Sequence, residues 1–328
     1  MCCNLLKQKY DFLQLKDIKK IITSVENFLN KEILDTFHKK GAVIGISGGI
    51  DSAVMAAICT KSIDPNQVLG IIMPEKESDP KSELLGQKIA QQFKIKTKTL
   101  DITSILESFG VYDNKEKIVK EKFSDFNQNC KYRVAVPPKF SNSIGMPFLE
   151  ILDEKNKIQK FKISTEEFLE LTAASSIKHR VRMTMLYYYA EKNNYCVIGT
   201  TNRSEFLQGY FVKYGDGGTD IEPLTNFYKS QIYQIGEFLQ IPEEILKKDA
   251  SPDIWSFSTS DEEFFYSVPY HIVDLILYAR ENNIPKSEIQ KISNLSIEQI
   301  DNLIQTQNQK QIKSQHMREI PHNCNSIE

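Results

Sequence analysis

The sequence predicts an α/β fold in which a doubly wound parallel sheet is flanked by helices, with an inserted segment and a helical C-terminal part. Strand-like and helical apolar patterns alternate from residue 42 to residue 100, as they do in βαβ units with parallel strands. A glycine-rich turn, 45–52, follows the first strand, and parallel sheets bind their ligands at such carboxyl ends. We expect the 328 residues, 41% of them hydrophobic, to form a single domain over 1–328.

The elements of the first half follow from hydrophobic periodicity. Residues 15–39 carry large apolar side chains at helical spacing, which predicts an amphipathic helix beside the sheet. The alternation that follows predicts, in order, strand 42–46, helix 51–61, strand 67–72, helix 81–93, strand 96–100 and a short helix 104–109.

The alternation stops at residues 111–164, which we interpret as an insertion within the domain. Two apolar runs, 148–152 and 158–163, flank the polar run 153–156, and this pattern predicts a β-hairpin. A small β-rich flap and a surface lobe without function both fit this segment, and the sequence leaves the choice open.

The second half begins with a long helix. Ser164 followed by Glu167 is a capping pattern, and it predicts a helix over 165–193 that leads into strand 195–198. The polar, glycine-rich stretch 199–223 predicts a long loop, and long loops in compact domains are usually functional. The remaining periodicity predicts helices 226–239, 243–248, 261–281, 287–292 and 297–309.

The glycine-rich turn predicts a pyrophosphate site. Backbone N–H groups and hydroxyls at a strand-to-helix turn, together with the positive helix N-terminus, bind anions. The turn lacks the lysine and spacing of a Walker loop and the three spaced glycines of a dinucleotide fingerprint. Its residues are Gly45, Ile46, Ser47, Gly48, Gly49, Ile50, Asp51 and Ser52.

Two carboxylates fit a shared metal ion. Asp51 and Glu205 follow two predicted strands, where they could share one Mg²⁺ on ATP phosphates. The alternative is that Asp51 only caps its helix and Glu205 is a solvated loop acid. Arg180, near the end of the long helix, fits a phosphate or carboxylate contact as well as a surface role.

Several motifs resemble the NAD synthetase family, whose fold is of the ATP-pyrophosphatase type. The loop Ser47-Gly48-Gly49-x-Asp51-Ser52 is one of them, and the family's other motifs cover most of the chain outside the insertion. They are Gly199-Thr200-Thr201-Asn202-Arg203-Ser204-Glu205, the run from Gly209 to Leu224, Lys229-Ser230-Gln231 and Arg180-Val181-Arg182-Met183.

The resemblance implies a role for each matching residue. Asp51 and Glu205 would hold Mg²⁺ and, with Lys229, would act in catalysis. The ATP contacts would come from the loop 45–52 and from Thr200, Lys229 and Ser251. The deamido-NAD substrate would contact Arg180, Lys213, Asp220, His316 and Met317.

The implied reaction is ATP-dependent amidation through an acyl adenylate: deamido-NAD, ATP and ammonia give NAD, AMP and pyrophosphate. The motifs depart from the family in the segment 250–266, in 175–179 and at Met317, where the family has lysine. Two alternative interpretations therefore remain: an enzyme that amidates a different carboxylate, and a non-catalytic nucleotide-binding relative. A tRNA-thiolating adenylase would need a cysteine pair or a basic RNA-binding module, which we do not find.

Composition limits the partners. A net charge of −2 gives no overall attraction to nucleic acid, and no apolar run is long enough to cross a membrane. The six cysteines lack metal-site spacing, which predicts free thiols in the cytoplasm. The resemblance implies a homodimer. No glutaminase portion is visible, so we expect free ammonia as the nitrogen source, and a separate glutaminase partner stays open.

Overall fold

The structure, a computed structural model, describes residues 11–137 and 146–322. Its strands in these ranges are Ala42–Gly45 (β1), Val68–Ile72 (β2), Lys96–Thr99 (β3), Lys131–Ala135 (β4), Phe148–Leu152 (β5), Ile158–Lys162 (β6) and Cys196–Ile198 (β7). The central sheet is parallel with the strand order β3-β2-β1-β7. All its strands were predicted, and the doubly wound order is confirmed because β1 lies inside with neighbours on both sides.

Helices cover both faces of this sheet. Those of the described residues are Ile18–Lys31 (α1), Ile50–Ser62 (α2), Pro80–Gln92 (α3), Thr103–Ser108 (α4), Val111–Lys122 (α5), Thr165–Asn193 (α6), Arg203–Gln208 (α7), Lys229–Phe238 (α8), Glu243–Leu246 (α9), Tyr270–Glu281 (α10), Lys286–Ser293 (α11) and Ile297–Lys313 (α12). Side chains of β1 alternate between the faces. Ala42 and Ile44 share a core with α1, α2, α3 and α8, whereas Val43 packs with α4, α5 and α6.

The long helix α6 has the predicted bounds. Ser164 and Glu167 form a capping box in which Glu167 N donates to Ser164 Oγ at 3.1 Å and Ser164 N donates to the Glu167 carboxylate at 2.6 Å. The helix ends at Asn194, whose left-handed backbone (φ 56°) lets the chain turn into β7. This helix brings the start of one motif, at Arg180, beside the carboxyl edge of the sheet.

The segment 111–164 contains a helix as well as strands. Strands β4, β5 and β6 form an antiparallel sheet, and the predicted hairpin β5–β6 is present. Asp153 shapes its turn by accepting from the N–H groups of Lys155 and Lys157, each at 2.9 Å. Our interpretation missed α5, whose buried Val111 and Tyr112 join the core beside α6.

Three predicted boundaries in the second half are wrong. The loop 199–223 contains helix α7, which begins after Asn202. Helix α8 begins at Lys229 because a 3₁₀ turn, Pro223–Asn226, precedes it. The predicted helix 261–281 is interrupted, since Ser267 has a left-handed backbone (φ 63°) and Pro269 starts α10 anew.

Two further observations concern composition. Among the residues that the structure describes, no helix is long and apolar enough to cross a membrane. Cys59, Cys130 and Cys196 are buried free thiols, while Cys2, Cys3 and Cys324 lie outside the described residues.

Candidate active site

The glycine-rich turn is held in shape by its own hydroxyls. Ser52 Oγ donates to the Gly49 carbonyl at 3.0 Å and lies 3.1 Å from Ser47 Oγ. Ser47 Oγ in turn accepts from Gly49 N at 3.3 Å. The turn leads straight into α2, with Gly49 as the N-cap. The first N–H groups of α2 have no partner within the helix, as at every helix start, and a preformed loop that ends in them suits an anion site.

Gly48 cannot carry a side chain in this loop. Its φ is 74°, and a Cβ would lie 2.3 Å from the Ser82 carbonyl of α3. Gly49 is different, because its φ is −90° and a Cβ there would come no closer than 3.4 Å to Ser47 Oγ. The close approach of the loop and α3 thus depends on one glycine of the adjacent pair.

We predict that alanine destabilises the protein at Gly48 and has little effect on stability at the neighbouring Gly49. Gly48→Ala is expected to lower the free energy of unfolding by about 2 kcal/mol or more, from the left-handed backbone and the clash with α3. Gly49→Ala is expected to stay within about 1 kcal/mol of wild type and to weaken ATP binding, because the new methyl group faces the anion site. Urea denaturation measures the first effect and nucleotide titration the second. Equal stability of the two variants would contradict this reading of the loop.

A large cavity opens where this loop meets the carboxyl edge of the sheet. Its volume is 1030 Å³, at the upper end of the range, roughly 300–1,000 Å³, of small-molecule sites. It is lined by every residue of the loop 45–52 except Gly48, which packs against α3 instead. Most of the other residues that the motifs single out also line it: Thr200, Glu205, Lys229, Ser251, Arg180, Lys213, His316 and Met317.

Lys229 is the buried centre of the charged part of this cavity. Its Nζ lies 2.5 Å from Asp51 Oδ2 and 3.4 Å from Glu205 Oε1, and the residue is only 3% exposed. Asn202 Nδ2 donates to the other Asp51 oxygen at 3.0 Å. Burial opposes the charge of Lys229, but Asp51, Glu205 and Asp261 outweigh it and raise the lysine pKa well above its usual range.

Glu205 is placed by the start of α7. It forms a capping box with Asn202, accepting from Asn202 N at 3.2 Å and donating its own N–H to Asn202 Oδ1 at 3.1 Å. One carboxylate oxygen therefore caps the helix while the other faces Lys229. Burial raises the pKa of Glu205 to about 8, with Lys229 opposing the shift and Asp51 and Asp261 adding to it.

Asp261 is a third carboxylate of this centre that our sequence reasoning did not assign. It is buried and accepts from the hydroxyls of Tyr210 at 2.8 Å and Tyr270 at 2.9 Å. Burial raises its pKa, and the charge of Lys229 opposes that shift. The sequence could have indicated Asp261, because Asp261-Glu262 is the part of the segment 259–262 that matches the family's motif.

Asp51 and Glu205 fit a magnesium ion that is shared with phosphates. In the described ranges no group of three or more His, Cys, Asp or Glu side chains is arranged to hold a metal. The two carboxylates contact the same ammonium group, that of Lys229, so their oxygens lie close to each other in the cavity. Mg²⁺ commonly takes one or two carboxylates and completes its shell with phosphate oxygens and water. The donor set fits that mode of binding.

All but one of the residues predicted to contact the acceptor line the cavity, and three of them are linked by hydrogen bonds. Arg180 Nε donates to the Lys213 carbonyl at 3.3 Å, and Lys213 Nζ donates to the His316 carbonyl at 2.7 Å. Asp220 does not line the cavity. Its carboxylate instead accepts from Val197 N at 2.8 Å and from a tyrosine hydroxyl of α6, which ties the loop to β7.

Two polar residues that we did not predict also line the cavity. His179 and Asp216 both face the cavity, and His179 Nδ1 lies 3.4 Å from Asp216 Oδ1. Burial lowers the pKa of His179, while Asp216 opposes that shift. The sequence offered a signal for His179, because it departs from the family's alanine immediately before Arg180.

Glu222 is a buried carboxylate in the loop that follows β7, and it does not line the cavity. It accepts from Thr201 N at 3.2 Å and from Thr219 Oγ1 at 2.7 Å. A Cβ on Gly199 would come within 2.2 Å of its carboxylate, so glycine is needed there. Burial raises the pKa of Glu222 to about 7, and the bond from Thr219 opposes that shift.

This shift predicts a pH-dependent cost in stability. The unfolded chain ionises Glu222 from its ordinary pKa of 4.5 upward, whereas the folded protein ionises it only near 7. The contribution of Glu222 to stability should therefore fall as the pH rises from 4.5 to 7. Glu222→Gln is expected to remove this contribution, so that its stability falls less than that of wild type over this range, and to be roughly 1–3 kcal/mol more stable than wild type at pH 8. Denaturation at pH 5 and pH 8 measures it, with Glu243→Gln on the surface as control. Parallel pH profiles for wild type and Glu222→Gln would contradict the assignment.

The loop, the charged centre and the cavity together define a nucleotide-binding α/β protein of the ATP-pyrophosphatase type. The chain belongs to the NAD synthase family, whose sequence profile matches residues 21–149 and 139–321. An NH(3)-dependent NAD(+) synthetase of Mesorhizobium japonicum is 34% identical over 281 residues, which are 85% of this chain and 88% of that protein. The family resemblance read from the motifs is thereby confirmed.

Solved structures show the same fold. NMN synthetase from Francisella tularensis has a TM-score of 0.65 at 24% identity, and the match covers 94% of this chain and 99% of that one. NH3-dependent NAD synthetase from Campylobacter jejuni has a TM-score of 0.63 at 23% identity and covers 94% of this chain and all of that one (100%).

Proposed function

We propose that this protein is a carbon–nitrogen ligase that converts deamido-NAD, ATP and ammonia into NAD, AMP and pyrophosphate. The family and its ammonia-dependent relatives support the reaction. The observation that carries the proposal is the position of the Asp51–Lys229–Glu205 centre. It lies in the same cavity as the phosphate-binding turn and the cationic side chains of Arg180 and Lys213.

The chemistry needs two steps because a carboxylate is a poor electrophile. A carboxylate oxygen of the acceptor attacks the α-phosphorus of ATP, the bond to the bridging α–β oxygen breaks, and pyrophosphate leaves with that electron pair. Ammonia then attacks the acyl carbon, AMP leaves with the carboxylate-derived oxygen, and the nitrogen loses a proton. The site must stabilise the charge on pyrophosphate and exclude water while the adenylate exists.

Each part of the site has a role in these steps. The N–H groups of the turn 45–52 and the N-terminus of α2 bind the pyrophosphate portion. Lys229 is held as an ammonium by its carboxylates and can donate to phosphate oxygens as negative charge builds on them. Mg²⁺, held by Asp51 and Glu205, would neutralise part of the phosphate charge. Thr200 and Ser251 line the same cavity, which supports the ATP contacts that we propose for them.

The acceptor side carries cationic and polar groups. Arg180 and Lys213 are suited to the phosphates and carboxylate of a dinucleotide, and His316 and Met317 line the cavity beside them. Asp220 supports this side indirectly through its bond to Val197 N.

An acceptor panel tests the proposal. We expect deamido-NAD to give NAD, AMP and pyrophosphate in equal amounts with ATP, Mg²⁺ and ammonium. Nicotinic acid mononucleotide, the matching acceptor for an enzyme named NMN synthetase, should be poor. Product from the mononucleotide or another carboxylate alone would favour the alternative of a different acceptor. ATP binding without any turnover would favour a non-catalytic nucleotide-binding relative.

Three further proposals concern the assembly of the protein, its nitrogen source and its compartment. We infer a homodimer that uses free ammonia in the cytoplasm, where the buried thiols of Cys59, Cys130 and Cys196 would stay reduced. Analytical ultracentrifugation tests the dimer. Comparing ammonium with glutamine as nitrogen donor tests whether a separate glutaminase is needed.

A further inference from the structure

A second charged cluster lies next to the cavity and takes no part in the chemistry described above. Lys115 and Lys178 are fully buried, and Glu75 and Glu77 are only 6% and 8% exposed. Lys178 Nζ lies 2.7 Å from Glu75 Oε1 and 2.5 Å from Glu77 Oε2, and Lys115 Nζ lies 2.5 Å from Glu77 Oε2. Two lysines thus balance two glutamates in the interior.

The cluster converges on one backbone carbonyl. Lys115 Nζ and Lys178 Nζ each donate to Ile254 O at 3.0 Å. Ile254 belongs to the segment 249–260, which has no helix or strand and whose residues 249–254 line the cavity. We call 249–260 the lid segment. Buried charge that is paired and fully hydrogen-bonded is costly to rearrange, so these bonds fix the lid segment at Ile254.

The four side chains come from three different parts of the chain. Glu75 and Glu77 follow β2, and Lys178 lies on α6 two residues before Arg180. Lys115 lies on α5, at the start of the inserted segment 111–164. Burial opposes the charge of Glu77, but the two lysines outweigh it and lower its pKa to about 2. The carboxylate of Glu77 therefore stays charged and accepts from both lysines. Burial and the charge of Lys178 lower the pKa of Lys115 to about 7, and Glu77 opposes that shift.

The antiparallel sheet of the segment 111–164 contacts residues 256–258 of the lid segment through its strand β4. Phe257 N donates to the Tyr132 carbonyl of β4 at 3.1 Å, and Tyr132 N donates to Ser256 Oγ at 3.0 Å. Arg133 Nη1 donates to the Ser258 carbonyl at 2.8 Å. Strand β4 thus carries the lid segment along its edge.

One side chain joins the two anchors. The hydroxyl of Tyr132 donates to Glu77 Oε1 at 2.6 Å. Trp255 lies against the Tyr132 ring, with centroids 6.2 Å apart, and Lys115 Nζ sits 4.3 Å from the centroid of the Trp255 ring. Lid segment, inserted sheet and ion cluster are therefore one connected unit.

We propose that Lys115 and the edge of β4 are positioning elements that hold the lid segment over the nucleotide, and that this is the role of the inserted segment. The inference rests on the proposed function only in taking the occupant of the cavity to be ATP. When the lid segment is already ordered, ATP binding does not have to supply the free energy of ordering it. Loosening the lid segment lowers the fraction of protein that can bind ATP, and the apparent dissociation constant for ATP rises in proportion. ATP at saturation restores the ordered lid and with it the rate.

Lys115→Met tests the proposal because methionine fills the space and cannot donate. We expect hydrogen exchange of the amides in 253–260 to speed up about tenfold or more, and KM for ATP to rise about tenfold with kcat within about threefold of wild type. Lys120→Met, on the same helix but in an exposed pair with Glu116, is the control and should change none of these values.

A second variant separates positioning from misfolding. Lys115→Met alone leaves one glutamate unbalanced, so Lys115→Met/Glu77→Gln restores neutrality. We expect this double variant to regain thermal stability while its lid amides stay exposed to exchange. Wild-type exchange and wild-type KM in the folded double variant would overturn the proposal. Hydrogen exchange of the lid amides is measured without nucleotide and does not depend on the reaction. If the wild-type protein released no pyrophosphate, the proposed function would be wrong, but the exchange experiment would still test the positioning role of Lys115.

Discussion

Replacing Lys229 with methionine is expected to abolish amide formation and to destabilise the protein. The side chain is 3% exposed, and its ammonium group contacts Asp51 and Glu205. Removing one partner of a buried ion pair costs about 3–5 kcal/mol because the remaining charge is left uncompensated. We expect kcat to fall about 10²–10³-fold or more, as when a charge-stabilising donor is lost.

The response of Lys229→Met to Mg²⁺ distinguishes loss of the ammonium group from simple misfolding. With the ammonium gone, the carboxylates of Asp51 and Glu205 face each other without a cation, so Mg²⁺ should raise the Tm of Lys229→Met more than that of wild type. Lys247→Met removes a lysine from an exposed pair and is the control. A Lys229→Met enzyme with wild-type turnover, or with a magnesium response no larger than that of wild type, would contradict the assignment.

Asp51→Asn is expected to give a folded protein that cannot cleave ATP. The amide keeps the shape of the side chain and one oxygen for Asn202, but it loses the negative charge that faces Lys229 and would hold Mg²⁺. We expect kcat for pyrophosphate release to fall about 10²–10³-fold. Stability should fall by less than in Lys229→Met, since Lys229 keeps its contact with Glu205 at 3.4 Å.

A matched substitution beyond the other end of α2, before the amino end of β2, is available as control. Asp64 accepts from Asn66 N at a 3₁₀ turn, and asparagine serves equally well at such a position. Asp64→Asn should therefore keep full activity. Pyrophosphate release by Asp51→Asn at the rate of Asp64→Asn would remove Asp51 from the proposed magnesium site.

The parts of the site that depend on local backbone could be predicted from the sequence. The turn at 45–52 needs glycine for the left-handed residue Gly48 and a helix directly after it, and both are visible over eight residues. The position of Glu205 also follows locally, since Asn202 and Glu205 form the capping box that starts α7. The alternation of strand and helix patterns over 42–100 likewise predicted that the sheet is parallel.

The parts that depend on distant contacts could not be predicted. Lys115 lies in a charged helix and has the sequence context of a solvated surface, yet it is fully buried by Glu77 and Ile254, 38 and 139 residues away. Asp220 fits the family motif, but the path of the loop turns its carboxylate to β7 and leaves Asp216 facing the cavity. Which side chain of an irregular loop faces inward is decided by tertiary packing.

The transfer of oxygen between substrates tests the central claim most directly. Deamido-NAD labelled with ¹⁸O in its pyridine carboxylate is incubated with ATP, Mg²⁺ and ammonium, and the AMP is analysed by mass spectrometry. Adenylation of the carboxylate at the site formed by 45–52, Asp51, Glu205 and Lys229 predicts one ¹⁸O atom in each AMP and none in pyrophosphate. Unlabelled AMP, or NAD formed with release of ADP and phosphate, would contradict it.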